Sequence, residues 1–476
     1  MKYILLSVLM FLSLNISADS YVPKEGGTSF KVLQTTPMHP LREVLTTPFS
    51  RHRYPSLTPV DLDGAEVSHE YLGIGASLTD ASCWLLSRMP EDRRKAFIGD
   101  AFGKDGMNLS IARLNCGSSD YATELYNYND TPDDVAMKHF SVGRDELYLI
   151  PVLKEILDVR PDLFLFSSIW SCPGWMKSSG EMCGGSLLEK YEKAFANYWT
   201  AYLTEYKKRG ININAITVQN EPRTDQGGGC PATLISGEQE ARIAGKYLPA
   251  AFRRASLDTK IWVYDHNYNP KHLPHLTPLL SDPDVQKNAE AIAWHPYTGN
   301  ASFLDTIHRQ YPSFKMHLTE RGPTLTMKDV QTRHWWCRLI FDALNHGCQS
   351  YTAWNLLLNE DGQPNTGRFA CGGLEEVNSV TSEITRSSQY DVFHQFGPYV
   401  DRGAEILKID QPDKDLSVIA FRNPDGSYVV VVSNEGGPER KRLEIKYKNE
   451  YLTLCLPVGM WSMTTVLIGV DGESRK

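Results

Sequence analysis

The chain has 476 residues with 41% hydrophobic and 11% aromatic content, enough for two or three domains or for one large barrel with an appendage. Its formal net charge of −8 argues against nucleic-acid binding, which needs a basic footprint, and against docking on an anionic membrane surface. The sequence contains no internal repeat and no low-complexity tract.

The first residues are organised as an export signal. Lys2 precedes an apolar run from Ile4 to Leu14, and Ala18 is a small residue before a plausible cleavage point. The run is too short to span a bilayer, which takes roughly 20 residues. We therefore predict a signal peptide at residues 1–18 and an exported protein without stable membrane insertion. Its location would be periplasmic or secreted, or a lysosome-type lumen in a eukaryote.

The segment that follows is β-type but incomplete. Residues 27–65 contain short strand-like stretches, prolines at five positions and no helical period. Such a segment cannot close a core alone, so we assign residues 19–66 to a β domain that another part of the chain must complete.

From Tyr71 the pattern alternates between strands and helices. The strand-like runs are 71–76, 107–113, 163–169, 214–219, 260–265, 289–294, 315–319 and 349–354. The helical stretches are 90–102, 144–158, 187–208, 237–256, 301–311, 330–346 and 387–399. Eight alternations predict an α/β fold, a (β/α)8 TIM barrel over residues 67–402.

After Gly403 the helical period disappears. Alternating apolar and polar runs at 416–421, 428–432, 441–447, 451–456 and 460–468 are separated by Gly- and Pro-containing turns. Residues 403–476 are therefore predicted to form an all-β sandwich side domain, fused to the barrel and built together with the N-terminal strands.

Nine cysteines follow the signal segment, an odd number, and their spacing matches no zinc motif. One disulfide is possible among three cysteines whose loops are expected on one face of the barrel, Cys172, Cys183 and Cys230. Buried free thiols are favoured for most of the nine. We predict no metal and no cofactor.

Two strand-like runs end in a glutamate. The run 215–219 leads to Asn220-Glu221-Pro222, and the run 314–318 leads to Thr319-Glu320. A single glutamate after a strand is usually a solvated loop residue. Two glutamates at the carboxyl ends of strands in one barrel can point into a single cleft, where α/β barrels keep their chemistry.

Paired carboxylates at a sugar are the working parts of a glycosidase. Retaining cleavage needs a protonated acid beside the leaving oxygen and an ionised carboxylate below the anomeric carbon, about 5–5.5 Å apart. Glu221 has the position of the acid and Glu320 that of the nucleophile. Two like charges at this separation raise one pKa, which couples their titrations.

Several strand-end residues can support this pair. The Asn220 amide can bind a 2-hydroxyl, with a strand-end cap as the alternative. Tyr297, in Trp294-His295-Pro296-Tyr297, can reach Glu320 and keep it anionic, while His295 holds the loop or lines the wall. Arg113 can contact Glu320 from another side, with a structural salt bridge as its alternative.

Two indoles follow the third and eighth predicted strands, Trp170 and Trp354. Indoles at a sugar cleft stack on the C–H faces of a pyranose and donate from the ring nitrogen. Core packing is the default for a single tryptophan, but two at barrel strand ends favour a sugar site.

The ordered motifs resemble glycoside hydrolase family 30, most closely its glucosylceramidase branch. They are Gly73-Ile74-Gly75-Ala76-Ser77-Leu78-Thr79-Asp80, Arg113 with Asp120, Thr131-Pro132-Asp133-Asp134, Trp170 to Lys177, Asn220-Glu221-Pro222, His295-Pro296-Tyr297, Thr319-Glu320 and Trp354-Asn355-Leu356. The resemblance covers about residues 70–400 and the terminal sandwich. It implies net retention, with Glu221 as acid/base and Glu320 as nucleophile. It also implies support from Arg113, Asn220 and Tyr297. The residues expected to bind the non-reducing glucose are Asp120, Trp170, Trp354, Asn355 and Asn365.

Three departures from that branch lie on the aglycone side. Arg321-Gly322-Pro323 follows the nucleophile where the branch has Ala-Cys, Pro296 replaces a tryptophan, and Thr366 stands where another tryptophan is expected. They make a β-glucan, such as a 1,6-linked one, a competitor to a ceramide glycoside.

The leading hypothesis is a retaining β-glycosidase that acts on β-glucosides, glucosylceramidase-like, with a β-glucoside or β-glucan as its partner. The alternatives are a β-1,6-glucanase or another family 30 exo- or endo-glycosidase, such as a β-xylosidase or β-fucosidase. A catalytically silent carbohydrate-binding barrel is the alternative from another class. Metallohydrolase chemistry is disfavoured because no His-x-x-x-His motif appears. The oligomeric state stays open.

Overall fold

The computed structural model describes residues 28–327 and 332–469, so the predicted signal peptide lies outside the described residues. Eight parallel strands close into a barrel, as predicted. In chain order they are Gly73–Leu78, Ile111–Asn115, Phe164–Ser168, Ala215–Thr217, Lys260–Asn267, Ala291–His295, Lys315–Leu318 and Cys348–Ala353. Their residues are almost all buried, because side chains fill the barrel on one face and helices cover the other.

The barrel interior is packed with side chains. Phe166 and Trp262 belong to an apolar cluster inside the barrel, and the Trp262 ring stacks on the His317 imidazole at 4.0 Å between ring centroids. This packing closes the amino-terminal half of the barrel and leaves polar side chains at the carboxyl ends of the strands.

Helices surround the barrel. They are Asp80–Arg88, Glu91–Phe102, Leu149–Val159, Glu192–Lys208, Gly237–Arg242, Leu248–Arg254, Leu273–Ser281, Pro283–Asn288, Ser302–Gln310, Thr332–Asn345 and Ser388–Phe396. Short 3₁₀ turns lie at Asp145–Leu147, Gly174–Met176, Glu189–Tyr191, Gln226–Gly228, Pro270–His272 and Gly397–Tyr399.

The predicted helices are present, with three differences. The helix predicted at 237–256 is interrupted by a π-helical turn at Ile243–Tyr247. Asp80–Arg88 was not predicted; Thr79 caps it by accepting a hydrogen bond from the Ser82 amide. Leu273–Ser281 and Pro283–Asn288 were also not predicted, because their prolines argue against helix in a sequence.

The β domain joins both ends of the chain, as predicted. Its larger sheet runs, in spatial order, His39–Glu43, Phe30–Thr36, Ser462–Ile468, Tyr428–Asn434, Leu416–Arg422, Glu405–Leu407 and Val67–Glu70. The smaller sheet is Glu450–Cys455, Arg442–Tyr447 and Val60–Asp61. Alternate residues of the two sheets pack face to face, with Val32 and Val60 from the N-terminal piece inside a core of C-terminal valines, leucines and isoleucines.

Two regions differ from the sequence-based assignment. Val67–Glu70, placed in the barrel by the predicted boundary, pairs with Glu405–Leu407 at the edge of the larger sandwich sheet. A small sheet after the eighth barrel strand was not predicted and consists of Leu357–Asn359, Glu375–Val377 and Ile384–Arg386. Strands of three residues carry too little periodicity to be found in a sequence.

The nine cysteines all lie in the described part of the chain, where each is a free thiol. The disulfide left open among Cys172, Cys183 and Cys230 is therefore absent from this structure. Within residues 28–327 and 332–469, no helix has the length and apolar character needed to cross a membrane.

Candidate active site

Glu221 and Glu320 face the same cavity. The cavity has a volume of about 620 Å³ and opens at the carboxyl ends of the barrel strands. The His295 imidazole contacts both carboxylates, with Nδ1 3.1 Å from Glu221 Oε1 and Nε2 3.8 Å from Glu320 Oε2. The two glutamates, 99 residues apart in sequence, thus meet across a single imidazole ring.

Two donors hold the Glu320 carboxylate. Arg113 Nη1 donates to Oε2 at 2.6 Å, and the Tyr297 hydroxyl donates to Oε1 at 2.7 Å. Both contacts were predicted from the sequence. Burial and the neighbouring Glu320 charge raise the pKa of Tyr297 well above its ordinary value, so the phenol stays a neutral donor.

Asp265, at the end of the fifth barrel strand, organises this region and was not predicted. Arg113 Nη2 donates to its Oδ2 at 2.8 Å, and the hydroxyls of Ser168, Thr217 and Thr319 also donate to the carboxylate. Burial raises the pKa of Asp265, but the Arg113 charge and the His295 hydrogen bond outweigh it and hold the pKa below its ordinary value. The sequence signal was available, because Asp265 is the last residue of the predicted strand 260–265 and the two glutamates also stand at the ends of predicted strands.

Three groups surround the Glu221 carboxylate. His295 Nδ1 and His266 Nδ1 lie 3.1 and 3.2 Å from Oε1, and Gln226 Nε2 donates to Oε2 at 2.6 Å. Burial raises the pKa of Glu221, but the hydrogen bonds and charges of the two imidazoles outweigh it, so the pKa lies below its ordinary value. His266 and Gln226 were not predicted, since a loop residue's contact with a distant side chain leaves no sequence pattern.

His295 holds the proton nearest to Glu221. Burial alone would lower the pKa of His295, but the charge of Glu320 and hydrogen bonds with Asp265 and Glu221 raise it to about 10. These contacts favour the protonated form of His295 beside the Glu221 carboxylate. The carboxylic acid form of Glu221 is the one that can protonate a leaving group.

The backbone at these strand ends has a rare conformation. Glu221 has φ +45° and Asp265 has φ +53°, both in the left-handed region, and the Glu221 amide donates to the Asp265 carbonyl at 3.0 Å. The fifth and sixth strands also shift register between Ala293 and Trp294. Left-handed non-glycine residues are strained, and here the bulge and the hydrogen bond maintain them.

The closed end of the cleft has the composition of a sugar site. Trp170 and Trp354 stack at 5.1 Å between centroids with 20° between their planes, and both line the cavity. Asp120 also lines it; burial, followed by the charges of Glu320 and Glu221, raises its pKa to about 8. A carboxyl that is neutral at pH 7 both donates and accepts hydrogen bonds, as sugar hydroxyls require.

The other predicted residues divide into two groups. Asn220 lines the cavity, and its Oδ1 accepts a hydrogen bond from Arg113 Nη2 at 2.8 Å. Asn355 and Asn365, predicted to bind sugar, are not among the residues that line the cavity. Asn355 is fully buried and accepts from Thr79 Oγ1, and Asn365 bonds the backbone of Gly367 and Phe369. Their amides satisfy loop backbone and helix-cap groups instead of reaching the cleft.

Glu221, His266 and His295 also have the spacing of a metal site. Their ligand atoms lie within 4.8 Å of one another, the one group of this kind in the described part of the chain. The two histidines are on different strands, so no spaced sequence motif revealed them. The contacts of the two imidazoles with the carboxylate account for this spacing.

A closed barrel whose fourth and seventh strands deliver two carboxylates to one cleft, beside stacked indoles, defines a glycoside hydrolase. The family models agree with this class. The glycosyl hydrolase family 30 TIM-barrel domain matches residues 71–371, and the family 30 β-sandwich domain matches residues 405–466. The chain belongs to glycosyl hydrolase family 30.

The similar proteins are named either as endo-1,6-β-glucanases or as glucosylceramidases. An endo-1,6-β-D-glucanase of Neurospora crassa is 29% identical over 414 residues, which cover 81% of this chain and 85% of that protein. The lysosomal acid glucosylceramidase of Mus musculus is 28% identical over 399 residues, covering 77% and 75%. The solved structure of the endo-β1,6-glucanase BT3312 superimposes with a TM-score of 0.83 at 26% identity, covering 93% of this chain and all of that one.

Proposed function

We propose that this glycoside hydrolase cleaves β-1,6-linked glucan with retention of anomeric configuration. The observation that carries this proposal is the polar mouth of the cleft. Seven polar side chains from the loops line the cavity, namely Arg223, Thr224, Gln226, Asn267, Thr298, Arg321 and Thr324, beside the smaller set Cys230, Phe369, Ala370 and Cys371.

A polar mouth favours a sugar over a lipid as the aglycone. A ceramide tail carries only apolar surface beyond its headgroup, and burying guanidinium and hydroxyl groups against it costs free energy. Phe369, 49% exposed, is the large apolar residue at this mouth. The glucanase names of two similar proteins support the same choice.

The geometry supports a double displacement. In the first step Glu320 attacks the anomeric carbon and the bond to the aglycone breaks, while Glu221 delivers its proton to the leaving oxygen. In the second step water attacks the glycosyl–Glu320 ester, Glu221 accepts its proton, and the bond to Glu320 breaks.

Arg113 and Tyr297 lower the barrier by fixing the nucleophile. Their hydrogen bonds to Oε2 and Oε1 leave Glu320 one orientation in a buried site, so little reorganisation is needed at the moment of attack. As Glu320 bonds to the sugar, its negative charge stabilises the developing oxocarbenium charge and then disappears in the ester.

Product analysis tests the proposal. The protein should hydrolyse pustulan, a β-1,6-glucan, and proton NMR should find the β-anomer as the first-formed product. Glucosylceramide presented in detergent micelles is the comparison substrate. Faster cleavage of glucosylceramide than of pustulan would overturn the glucan assignment, and an α-anomer formed first would overturn retention.

A further inference from the structure

One arginine at the cleft mouth lacks the partner that every comparable arginine has. Among the described residues, ten arginine side chains are at least partly buried. All but Arg321 have a carboxylate oxygen within 4.0 Å: they are Arg94, Arg113, Arg144, Arg160, Arg209, Arg242, Arg333, Arg402 and Arg422. A buried guanidinium without a counter-charge is costly, so this exception requires an explanation.

Arg321 is held firmly although it forms no ion pair with a described residue. Its amide donates to the Thr352 carbonyl at 3.2 Å, and its carbonyl accepts from Gln389 Nε2 at 2.9 Å. The guanidinium lies over the Tyr297 ring at 4.6 Å and near the rings of Trp335 and Trp336 at 5.4 and 5.9 Å. This aromatic cage fixes the direction of a cation.

Arg321 has an unsatisfied donor beside the cavity. The side chain lines the cavity, follows the nucleophile directly, and its Nε is buried without a hydrogen-bond partner in the described residues. Arg223, two residues after Glu221, lines the same cavity and forms no ion pair with a described residue. The loops that carry the two glutamates therefore each place a guanidinium at the mouth.

We infer that Arg321, assisted by Arg223, is an anion-binding element of the aglycone subsite, and that the preferred substrate carries an oxyanion on its leaving side. This inference rests on the proposed β-glucoside hydrolysis and narrows its substrate to an acidic glucan or glucoside. A guanidinium fork matches carboxylate, sulfate or phosphate oxygens in two parallel hydrogen bonds, and the missing counter-charge is then supplied by the substrate.

Matched substrates test the inference. Two nitrophenyl β-glucosides are compared that differ only in a ring carboxylate or carboxamide, and a second pair carries a sulfonate or sulfonamide. The wild type should prefer each anionic member in kcat/KM by about tenfold or more, since hydrogen bonds to charged groups are the stronger ones. A preference confined to one pair identifies which oxyanion the subsite takes.

Variants assign that preference to the arginine. Arg321→Gln should bring both ratios close to one because it loses more kcat/KM on the anionic members than on the neutral ones, and Arg321→Lys should keep part of the preference. Arg338→Gln, an exposed arginine on the helix Thr332–Asn345, is the control and should behave as the wild type. Equal loss on neutral and anionic substrates in Arg321→Gln, or no preference in the wild type, would overturn the inference.

A binding measurement separates this inference from the proposed function. Calorimetry with Glu320→Gln measures the affinity for the carboxylate and carboxamide glucosides without turnover, and the carboxylate should bind about tenfold more tightly. Equal affinities would contradict the anion subsite. If both glucosides bind as expected but the wild type cleaves neither, the hydrolysis proposal fails and the anion subsite stands.

Discussion

The arginines at the two ends of the cleft differ in how their hydrogen-bond donors are satisfied. At the closed end, Arg113 is fully buried and donates to Glu320, Asp265, Asn220 and Ser168. At the mouth, Arg321 is partly exposed and its side chain makes no hydrogen bond to a described residue. One guanidinium completes a network within the protein, and the other has donors left for something outside it.

This difference between the two arginines distinguishes residues that position the reacting groups from residues that recognise the substrate. A reacting carboxylate must not move, so the closed end satisfies its donors internally and gains preorganisation. A group that selects substrates must have free hydrogen-bond donors before the substrate binds, because the substrate then provides the acceptors. We therefore expect variants at the closed end to affect turnover of every substrate, and variants at the mouth to change the ranking of substrates.

Replacing the nucleophile should give the largest effect. Glu320→Gln keeps the shape of the side chain but cannot form the glycosyl ester, so kcat on an aryl β-glucoside should fall by roughly 10⁴-fold or more. Stopped assays with a nitrophenyl glucoside measure this loss. Glu290→Gln is a matched control, since that carboxylate precedes the sixth strand at the opposite end of the barrel. Activity in Glu320→Gln near that of this control would refute the catalytic pair.

Replacing the acid should give an effect that depends on the leaving group. Glu221→Gln removes proton donation, which matters little for a dinitrophenyl leaving group and should cost about 10²–10⁴-fold for a glucan. The measurement is kcat/KM, where glycosylation is the first irreversible step, for a series of aryl glucosides of increasing phenol pKa. A steeper dependence than in the wild type is expected. The same slope in both proteins would show that Glu221 does not protonate the leaving oxygen.

The sequence predicted several contacts of the closed end because the residues that make them stand near strand ends. Glu221, Glu320, Arg113 and Tyr297 each follow or end an apolar run, and parallel strands of one barrel bring such positions together. Their mutual contacts were therefore predictable without coordinates. Asp265 obeys the same rule and was missed because the carboxylate pair already explained the chemistry.

The mouth was less predictable because its contacts are made by loops. Gln226 reaches Glu221 from a turn with φ +53°, a conformation that no side-chain pattern signals. Asn355, which also has a left-handed φ of +48°, turns away from the cleft to accept from Thr79, although its neighbour Trp354 lines the cavity. Adjacent positions in a motif can face opposite directions, and only the backbone dihedral decides which one meets the substrate.

A Gln226 variant can show whether this residue acts in catalysis or in substrate recognition, because Gln226 lies in a mouth loop but donates a hydrogen bond to a catalytic carboxylate. Its amide stabilises ionised Glu221, so Gln226→Ala should raise the pKa of Glu221 and shift the pH profile of kcat/KM toward higher pH. The accompanying change in kcat/KM should be about 3–10-fold, the value of one hydrogen bond. Thr298→Val, which lines the same cavity, is the control. A substrate-ranking change with an unmoved pH profile would place Gln226 with the recognition residues instead.

Replacing Asp120 should give the smallest effect, and we expect it in the pH dependence of the melting temperature. Its pKa is raised to about 8 by burial and by the nearby carboxylates, above the unfolded value of about 3.9. The folded protein therefore holds this proton more tightly than the unfolded chain, so the stabilisation is complete below about pH 4 and is lost as pH rises toward 8. Asp120→Asn cannot ionise and lacks this loss. Thermal melts of both proteins from pH 4 to 9 should show the variant gaining several degrees relative to the wild type as pH rises. A constant difference in Tm would mean that Asp120 is ionised throughout and that the closed end carries one more negative charge than we infer.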